Sequence, residues 1–185
     1  MEPFIYIAAC DTTPTGGSLD ARKLMGKLYR QITGEQMPPL LRQERGKPYF
    51  SGGSLHCSIT HTRSMAFCAL ATMPVGLDAE EQSRRVRPGI PEKALSAQEL
   101  AQWRASADPA QTFLQLWTLK EATVKLTGDG LRGYPRHLSF QMHDGQPVLP
   151  GSGFSYRLWS YAGHFVALCA GQPLPEQCII ITLQT

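Results

Sequence analysis

Short apolar runs and longer apolar stripes alternate along the chain, and together they predict a mixture of strands and helices. Compact apolar runs between turn-forming residues are typical of strands, which we place at 4–9, 55–60, 65–71, 75–80, 154–160 and 164–170. Apolar positions three or four residues apart predict helices over 18–33, 96–106 and 108–128. The segment from 38 to 53 is rich in Pro and Gly and predicts a loop.

The predicted helices carry recognisable end signals. Ser18 is a candidate N-cap for the first helix, and Ser96 with Glu99 forms a capping box for the second. The third helix begins with Asp108 as N-cap, followed by a proline at its first position, and it ends at Gly128. The Asp-Gly pair at 144–145 predicts the turn of a hairpin.

The order of these elements predicts an α+β fold. Three strands in close succession between 55 and 80 favour a meander, and the apolar segments 64–71 and 163–170 are similar in sequence. A pseudo-dimer of two similar α/β halves would explain this similarity, each half having a small, mainly antiparallel sheet and a packed helix. We place the N-terminal half at 1–80 and the C-terminal half at 81–185, with 81–91 as a linker or mobile loop.

Composition indicates an ordinary globular chain of 185 residues, 42% hydrophobic and 18% charged. The net charge of +3 is too small to indicate nucleic-acid binding. Five cysteines form no CxxC pair, and Cys57, Cys68 and Cys169 lie in apolar runs, as buried free thiols do. Because the chain has neither a signal-peptide pattern nor a segment of membrane-spanning length, we expect a cytoplasmic protein without membrane or nucleic-acid partners.

Two carboxylates on the third predicted strand are candidates for chemistry. Asp78 and Glu80 are two residues apart, so their side chains lie on one face of the strand, opposite Val75, Leu77 and Ala79. Adjacent carboxylates repel each other unless a cation neutralises them. The pair therefore fits either a metal site or an acidic patch at a strand end.

Glu121 and Lys125 stand four residues apart on the longest predicted helix. This spacing is typical of an ordinary surface ion pair. The helix is apolar on most sides, however, and a helix of that kind tends to be buried. Buried charges need partners, and Asp78 with Glu80 and a metal ion would provide them.

Further polar residues precede these elements. His61 follows a predicted strand, where a turn can direct it into a cleft or simply satisfy it by hydrogen bonds. Arg42, Arg45 and Lys47 surround Gly46 in a loop that suits either phosphate binding or a solvated surface. No P-loop, GxGxxG or GxSxG pattern is present in the sequence.

Taken in order, these motifs resemble the Sfp-type 4′-phosphopantetheinyl transferases. The resemblance rests on Arg42…Gly46-Lys47-Pro48, Ser58-Ile59-Thr60-His61, Gly76-Leu77-Asp78-Ala79-Glu80 and Trp117-Thr118-Leu119-Lys120-Glu121-Ala122…Lys125. It spans about residues 42–131, with Thr60 standing where the family often has serine.

The resemblance implies a transferase that moves 4′-phosphopantetheine from coenzyme A to a serine of an apo acyl or peptidyl carrier protein, releasing adenosine 3′,5′-bisphosphate. It implies Asp78, Glu80 and Glu121 as ligands of Mg²⁺, with Mn²⁺ as an alternative. Glu121, directly or through a water, is the expected base, and Lys125 is the second catalytic residue. The implied coenzyme A contacts are Arg42, Arg45, Lys47, Ser58, Thr60, His61 and Lys125, while the role of Lys120 is left open.

The resemblance also implies a monomer with its active site between the two halves. The arginines of the 81–91 segment are candidates for contacting an acidic helix of the carrier protein. Two other functions remain open from the residues alone. One is a metal-dependent phosphoesterase or nuclease, and the other is a non-catalytic module that binds coenzyme A or a carrier protein.

Overall fold

A computed structural model describes residues 3–130, 135–143, 146–174 and 179–182, the last of these by its backbone. The strands are β1 (Ile5–Asp11), β2 (Leu40–Arg42), β3 (Pro48–Phe50), β4 (His56–His61), β5 (Met65–Ala71), β6 (Val75–Glu81), β7 (Gln141–His143), β8 (Gln146–Val148), β9 (Ser155–Tyr161), β10 (His164–Ala170) and β11 (Ile179–Thr182). The helices are α1 (Gly17–Thr33), α2 (Ile90–Ala94), α3 (Ala97–Ala105) and α4 (Pro109–Thr127). The mixed composition of helices and small sheets confirms the predicted α+β class.

Two sheets and two hairpins organise the strands. The first sheet has the order β11-β1-β5-β4 and the second has the order β6-β10-β9, while β2–β3 and β7–β8 are separate pairs. All the pairings are antiparallel except that of β1 with β11. The two apolar segments with similar sequences become β5 and β10, which have a hydrogen-bonded neighbour on each side. Their buried positions explain why β5 is apolar throughout and why β10 is apolar after His164.

The predicted three-strand meander is wrong. β4 and β5 do pair with each other, but β6 pairs with β10 in the other sheet. The reason is that β5 already pairs with β1 on one edge and β4 on the other, so it has no edge left for a third strand. The chain changes sheets within residues 72–74, and the boundary at 80–81 between two halves remains a prediction.

Three apolar clusters show how the layers pack. One cluster lies between the two sheets and includes Ile7, Phe67, Leu77 and Leu168. A second lies between α1 and the first sheet, and a third between α4 and the second sheet. The sheets are thus stacked face to face, with one long helix on each outer side.

The helix ends agree with the sequence in two cases of three. Ser96 and Glu99 form the predicted capping box, and Asp108 caps α4 by accepting a hydrogen bond from the Gln111 amide at 3.1 Å. The predicted Ser18 cap is wrong, because the N-cap of α1 is Gly16, two residues earlier, and it provides no side-chain hydrogen bond. Asp20, in the first turn, instead accepts hydrogen bonds from the amide and hydroxyl of Thr13.

Other local predictions are modified by the structure. The expected loop at 38–53 contains the short hairpin β2–β3, whose pairing the Pro and Gly residues had obscured. The 81–91 segment runs into the short helix α2. The hairpin predicted around 144–145 is present as β7–β8, although those two turn residues lie outside the described residues. Cys10, Cys57, Cys68 and Cys169 are buried free thiols, and no described helix is long and apolar enough to cross a membrane.

Candidate active site

Strand β6 carries the candidate carboxylates on the face that packs against α4. Its alternate residues Val75, Leu77 and Ala79 point into the core between the sheets, as the strand periodicity predicts. Gly76 allows α4 to approach closely, since a Cβ atom at this position would lie 1.9 Å from the carbonyl oxygen of Ala122. This contact brings the carboxylate face of β6 against the charged positions of α4.

Asp78 is almost fully buried, and its two oxygens have different surroundings. Oδ1 accepts hydrogen bonds from Lys125 Nζ at 2.6 Å and from Thr60 Oγ1 at 3.0 Å. Oδ2 is buried and has no hydrogen-bond partner among the described residues. A buried carboxylate oxygen without a partner is costly, so Oδ2 is the position at which this structure most favours an added cation.

Glu121 lies one helical turn before Lys125. The pKa of Glu121 is raised to about 7, first by burial and then by the negative charges of Asp78 and Glu80, while Lys125 and Arg84 act in the opposite direction. The pKa of Glu121 is thus set mainly by burial, to which the charges of Asp78 and Glu80 add.

Glu80 is neutralised by a residue that the sequence did not identify. Its carboxylate forms an ion pair with Arg84. Burial raises the pKa of Glu80, whereas the hydrogen bond from Arg84 lowers it and the charge of Asp78 raises it. The segment after β6 was expected to be a linker, so nothing in the spacing indicated that it turns back onto the strand.

Metal ligation is therefore not preformed in this arrangement. No group of three His, Cys, Asp or Glu side chains within the described part of the chain has metal-binding geometry. Two of the three predicted ligands are paired with cationic side chains instead, Asp78 with Lys125 and Glu80 with Arg84. The donor set nevertheless fits a hard divalent cation, because it consists of carboxylate oxygens and includes the unpartnered Oδ2.

A cleft of about 350 Å³ opens beside this cluster. It is lined by Glu121 and by every residue for which the resemblance implies a contact to coenzyme A, namely Arg42, Arg45, Lys47, Ser58, Thr60, His61 and Lys125. Residues that are up to 83 positions apart in the sequence thus share one concave surface. The cleft combines several cations with one carboxylate, a combination that suits an anionic, phosphate-rich ligand.

The basic side chains of this cleft are held by the β2–β3 hairpin against the end of α4. Lys47 Nζ donates a hydrogen bond to the carbonyl oxygen of Leu126, and Arg45 pairs with Asp129 at 3.2 Å. Arg42 Nη1 donates to the carbonyl oxygen of Gly46 at 3.0 Å, within the hairpin itself. Burial lowers the pKa of Lys47, so an anion beside it would favour its charged form.

The residues of β4 lie between the cleft and β6. Ser58 and Thr60 are buried and hydrogen-bond to β6, whereas His61, at the strand end, is exposed and lies beside Gly17 at the start of α1. His61 also lines a second cavity, together with Glu80 and Arg84. His61 therefore lines both cavities.

Lys120 lies away from the cleft. It is fully buried, pairs with Glu99 at 2.7 Å and donates hydrogen bonds to the carbonyl oxygens of Pro135 and Leu138. The same Glu99 accepts from the Phe140 amide at 3.0 Å. This motif lysine therefore connects α4 to α3 and to the 135–140 segment. The signal available in the sequence was Glu99 of the capping box, but its pairing depends on how the helices pack.

Comparison with known proteins supports the resemblance noted from the motifs. Residues 74–169 match the family model of the 4′-phosphopantetheinyl transferase superfamily. The chain is 30% identical over 152 residues to the 4′-phosphopantetheinyl transferase Sfp of Bacillus subtilis, covering 77% of this chain and 67% of Sfp. It is 34% identical over 95 residues to another 4′-phosphopantetheinyl transferase of Bacillus subtilis, covering 48% of this chain and 41% of the relative.

A solved structure is also similar over part of the chain. The holo-[acyl-carrier-protein] synthase of Thermotoga maritima aligns with a TM-score of 0.45 and 25% identity, over 53% of this chain and 62% of that protein.

The chain spans about two thirds of the length of Sfp and less than half of the length of the second relative. The family match includes β6 and α4, on which the candidate carboxylates lie. This chain belongs to the 4′-phosphopantetheinyl transferase superfamily.

Proposed function

We propose that this chain transfers the 4′-phosphopantetheine of coenzyme A to a serine of an apo acyl or peptidyl carrier protein, releasing adenosine 3′,5′-bisphosphate. The observation that carries the proposal is a cleft lined by basic residues together with Glu121 and Lys125. Asp78 pairs with Lys125, and both Asp78 and Glu80 act electrostatically on Glu121. Family membership supplies the reaction class, and the cleft supplies a surface for its phosphorylated substrate.

Coenzyme A presents a pyrophosphate and a 3′-phosphate, and the cleft has two groups of basic residues for them. Lys125 and His61 lie on the side of the carboxylates, and we assign them to the pyrophosphate. Arg42, Arg45 and Lys47 lie on the hairpin, and we assign them to the 3′-phosphate and the adenine end. Because Lys47 and Arg45 are hydrogen-bonded to the end of α4, their heads are held in place before the ligand binds.

Asp78, Glu80 and Glu121 would hold Mg²⁺, with Mn²⁺ as an alternative. Such an ion would neutralise negative charge on the pyrophosphate oxygens during phosphoryl transfer. The proposal is supported by the unpartnered Oδ2 of Asp78 and by the mutual repulsion that raises the pKa of Glu121. Arg84 and Lys125 supply positive charge to the same carboxylates in this structure.

Glu121 suits the role of base for the incoming serine. In the reaction the serine oxygen forms a bond to the phosphorus that carries pantetheine, and the bond from that phosphorus to the adenosine bisphosphate oxygen breaks. Glu121 accepts the hydroxyl proton, directly or through a water. Lys125 stabilises the negative charge that develops on the phosphoryl oxygens.

The carrier protein is assigned to a groove next to this cluster. The groove has a volume of about 430 Å³ and is lined by Arg84, Arg85, Val86, Arg87, Ile90, Phe113, Leu114 and Trp117. Apolar side chains with arginines at the margin fit an amphipathic helix with acidic residues. Arg84 lines both this groove and the cavity at Glu80, so a carrier in the groove lies beside the carboxylates.

We further propose that the chain is a monomeric, cytoplasmic pseudo-dimer with its active site between halves 1–80 and 81–185. Its support is the repeated arrangement of a helix on a sheet, with α1 against the first sheet and α4 against the second. The candidate residues also come from both parts, since β4 contributes Thr60 and α4 contributes Lys125. A larger assembly in solution, measured by sedimentation, would contradict the monomer.

The decisive experiment incubates the chain with coenzyme A, Mg²⁺ and several apo carrier proteins, followed by intact-mass measurement of each carrier. We expect a gain equal to one phosphopantetheine, absent when the carrier serine is replaced by alanine. The Asp78→Ala and Lys125→Ala variants should lose this activity while remaining folded. No mass gain on any carrier would contradict the transferase, and coenzyme A hydrolysis without carrier modification would support the phosphoesterase instead.

A further inference from the structure

Strands β4 and β6 lie side by side although they belong to different sheets. Each is the edge strand of its own sheet, so each has backbone groups that no neighbouring strand satisfies. The amide of Leu77 is one of them, and it donates a hydrogen bond to Ser58 Oγ at 2.9 Å. A serine hydroxyl thus replaces a strand-to-strand bond at this seam.

Thr60, two residues after Ser58, provides a second hydrogen bond between β4 and β6. It lies on the same face of β4 as Ser58, and its hydroxyl donates to Asp78 Oδ1 at 3.0 Å. A hydroxyl has a single proton to donate, and here that proton is used on Asp78. Thr60 is 7% exposed, and its β-branched side chain has few alternative rotamers, so the donor is fixed in direction.

Both hydrogen bonds to the Asp78 carboxylate are accepted by the same oxygen, Oδ1. Lys125 Nζ also contacts Oδ1, at 2.6 Å, and lies 3.4 Å from the carbonyl oxygen of Ile59 on β4. The carboxylate is therefore oriented by β4 and α4 together, with Oδ2 left without a partner among the described side chains and backbone groups. An orientation of this kind is required if Oδ2 is to serve a cation.

We propose that Thr60 is a positioning residue for Asp78 rather than a contact to coenzyme A. Its hydrogen bond keeps Oδ1 engaged and presents Oδ2 to the divalent cation. This differs from the role that the family resemblance implies for Thr60, although Thr60 is among the residues that line the cleft. The inference rests on the proposed function in one respect, which is that Asp78 holds a metal ion.

The test compares Thr60→Val, which keeps the shape but lacks the hydroxyl, with Thr60→Ser, which retains it. Binding of Mn²⁺ is measured by its electron paramagnetic resonance signal, with and without coenzyme A, and KM for coenzyme A is measured separately. We expect Thr60→Val to weaken Mn²⁺ binding roughly tenfold, as loss of a hydrogen bond to a charged group would. Thr60→Ser should restore it, and KM for coenzyme A should stay within twofold of the original value.

Thr118→Val is the matched control, because Thr118 is a buried threonine whose hydroxyl donates to the Leu114 carbonyl of its own helix. It should bind Mn²⁺ as the original protein does. Unchanged Mn²⁺ affinity in Thr60→Val, or a raised KM for coenzyme A alone, would overturn the inference. If Thr60→Val does not fold, as judged by circular dichroism, Thr60→Ala takes its place.

The same measurements separate this inference from the proposed function. The original protein should bind Mn²⁺ and Asp78→Ala should not, whereas carrier modification is followed independently by mass. Carrier modification with Asp78-independent Mn²⁺ binding would leave the transferase intact and overturn the role of Thr60. Failure of carrier modification together with Asp78-dependent Mn²⁺ binding that Thr60→Val weakens would contradict the transferase and support the role of Thr60.

Discussion

At the scale of a single residue, the surroundings of Glu121 make its ionised form unfavourable. Burial raises its pKa to about 7, and Asp78 and Glu80 add negative charge around it. Between about pH 4.5 and 7 the unfolded chain loses this proton while the folded chain retains it, so the folded state binds more protons. The stability that the neutral form provides is therefore complete below pH 4.5 and is lost as the pH rises through 7.

We predict from this that Glu121→Gln stabilises the metal-free protein at high pH. Glutamine resembles the neutral carboxyl, so the two proteins should be equally stable near pH 4.5. At pH 8, with excess chelator, the variant should gain up to about 3 kcal/mol, since each pKa unit corresponds to about 1.4 kcal/mol. The free energy of unfolding from urea titration measures this gain. Glu92→Gln, which makes the same change at an exposed position, is the control, and a destabilised Glu121→Gln at pH 8 would contradict the prediction.

The sequence could predict some of these residues and not others. Asp78 and Glu80 follow from strand periodicity, and the motif order indicated Glu121. It also indicated the family, and the comparisons confirm the family. The Glu80–Arg84 pair was not predictable, because it depends on the path of the backbone after β6. Lys120 was recognised as a motif residue, but its partner Glu99 lies on another helix. Such pairs are set by packing between elements, which local patterns do not encode.

At the scale of elements, the contact between β6 and α4 determines the geometry of the site. Gly76 lies against the backbone of α4, where an added Cβ would be 1.9 Å from the Ala122 carbonyl oxygen and 2.5 Å from the Leu126 nitrogen. Backbone atoms of a packed helix cannot move aside as a flexible side chain can. The glycine is therefore required for the helix to lie close enough for Lys125 to contact Asp78. The sequence showed this glycine in a motif but not its contact with α4.

We predict that Gly76→Ala reduces both stability and carrier modification. The added methyl group should displace α4, lengthen the Lys125–Asp78 contact and cost about 3 kcal/mol or more, at the upper end of what overpacking costs. Gly26→Ala is the matched control, since Gly26 is inside α1 with only Met37 Cε at 4.0 Å. That variant should be neutral or more stable by up to about 1 kcal/mol. Thermal unfolding and the mass assay measure the two effects, and a Gly76→Ala protein with normal stability would contradict the contact.

At the scale of the whole molecule, the chain crosses between its two sheets more often than the sequence indicated. The chain passes from the first sheet to the second between β5 and β6. It returns to the first sheet with β11, which pairs with β1. The apolar runs predict the longer strands β1, β4, β5, β6, β9 and β10, but not β2, β3 or β11, and they do not specify which strands pair. A consequence of this topology is that the edge strands β4 and β6 meet, and the candidate site lies at their junction.

The distribution of positive charge over the molecule predicts where an acidic carrier protein binds. The net charge is only +3, so attraction of an acidic partner depends on where the arginines lie. Arg84, Arg85 and Arg87 line one groove, next to Phe113 and Trp117. Because Arg84 is paired with Glu80, the exposed Arg85 is the better position for a charge reversal.

We predict that Arg85→Glu raises KM for an acidic apo carrier protein at least tenfold at low salt, while KM for coenzyme A is unchanged. The effect should shrink as salt is added, since the Debye length falls from about 10 Å at 0.1 M to about 3 Å at 1 M. Arg30→Glu makes the same change in net charge at an exposed position near the end of α1 and should leave KM for the carrier nearly unchanged. Equal effects of the two reversals would show that overall charge, rather than the groove, attracts the carrier. No effect of Arg85→Glu at any salt concentration would place the carrier elsewhere on the molecule.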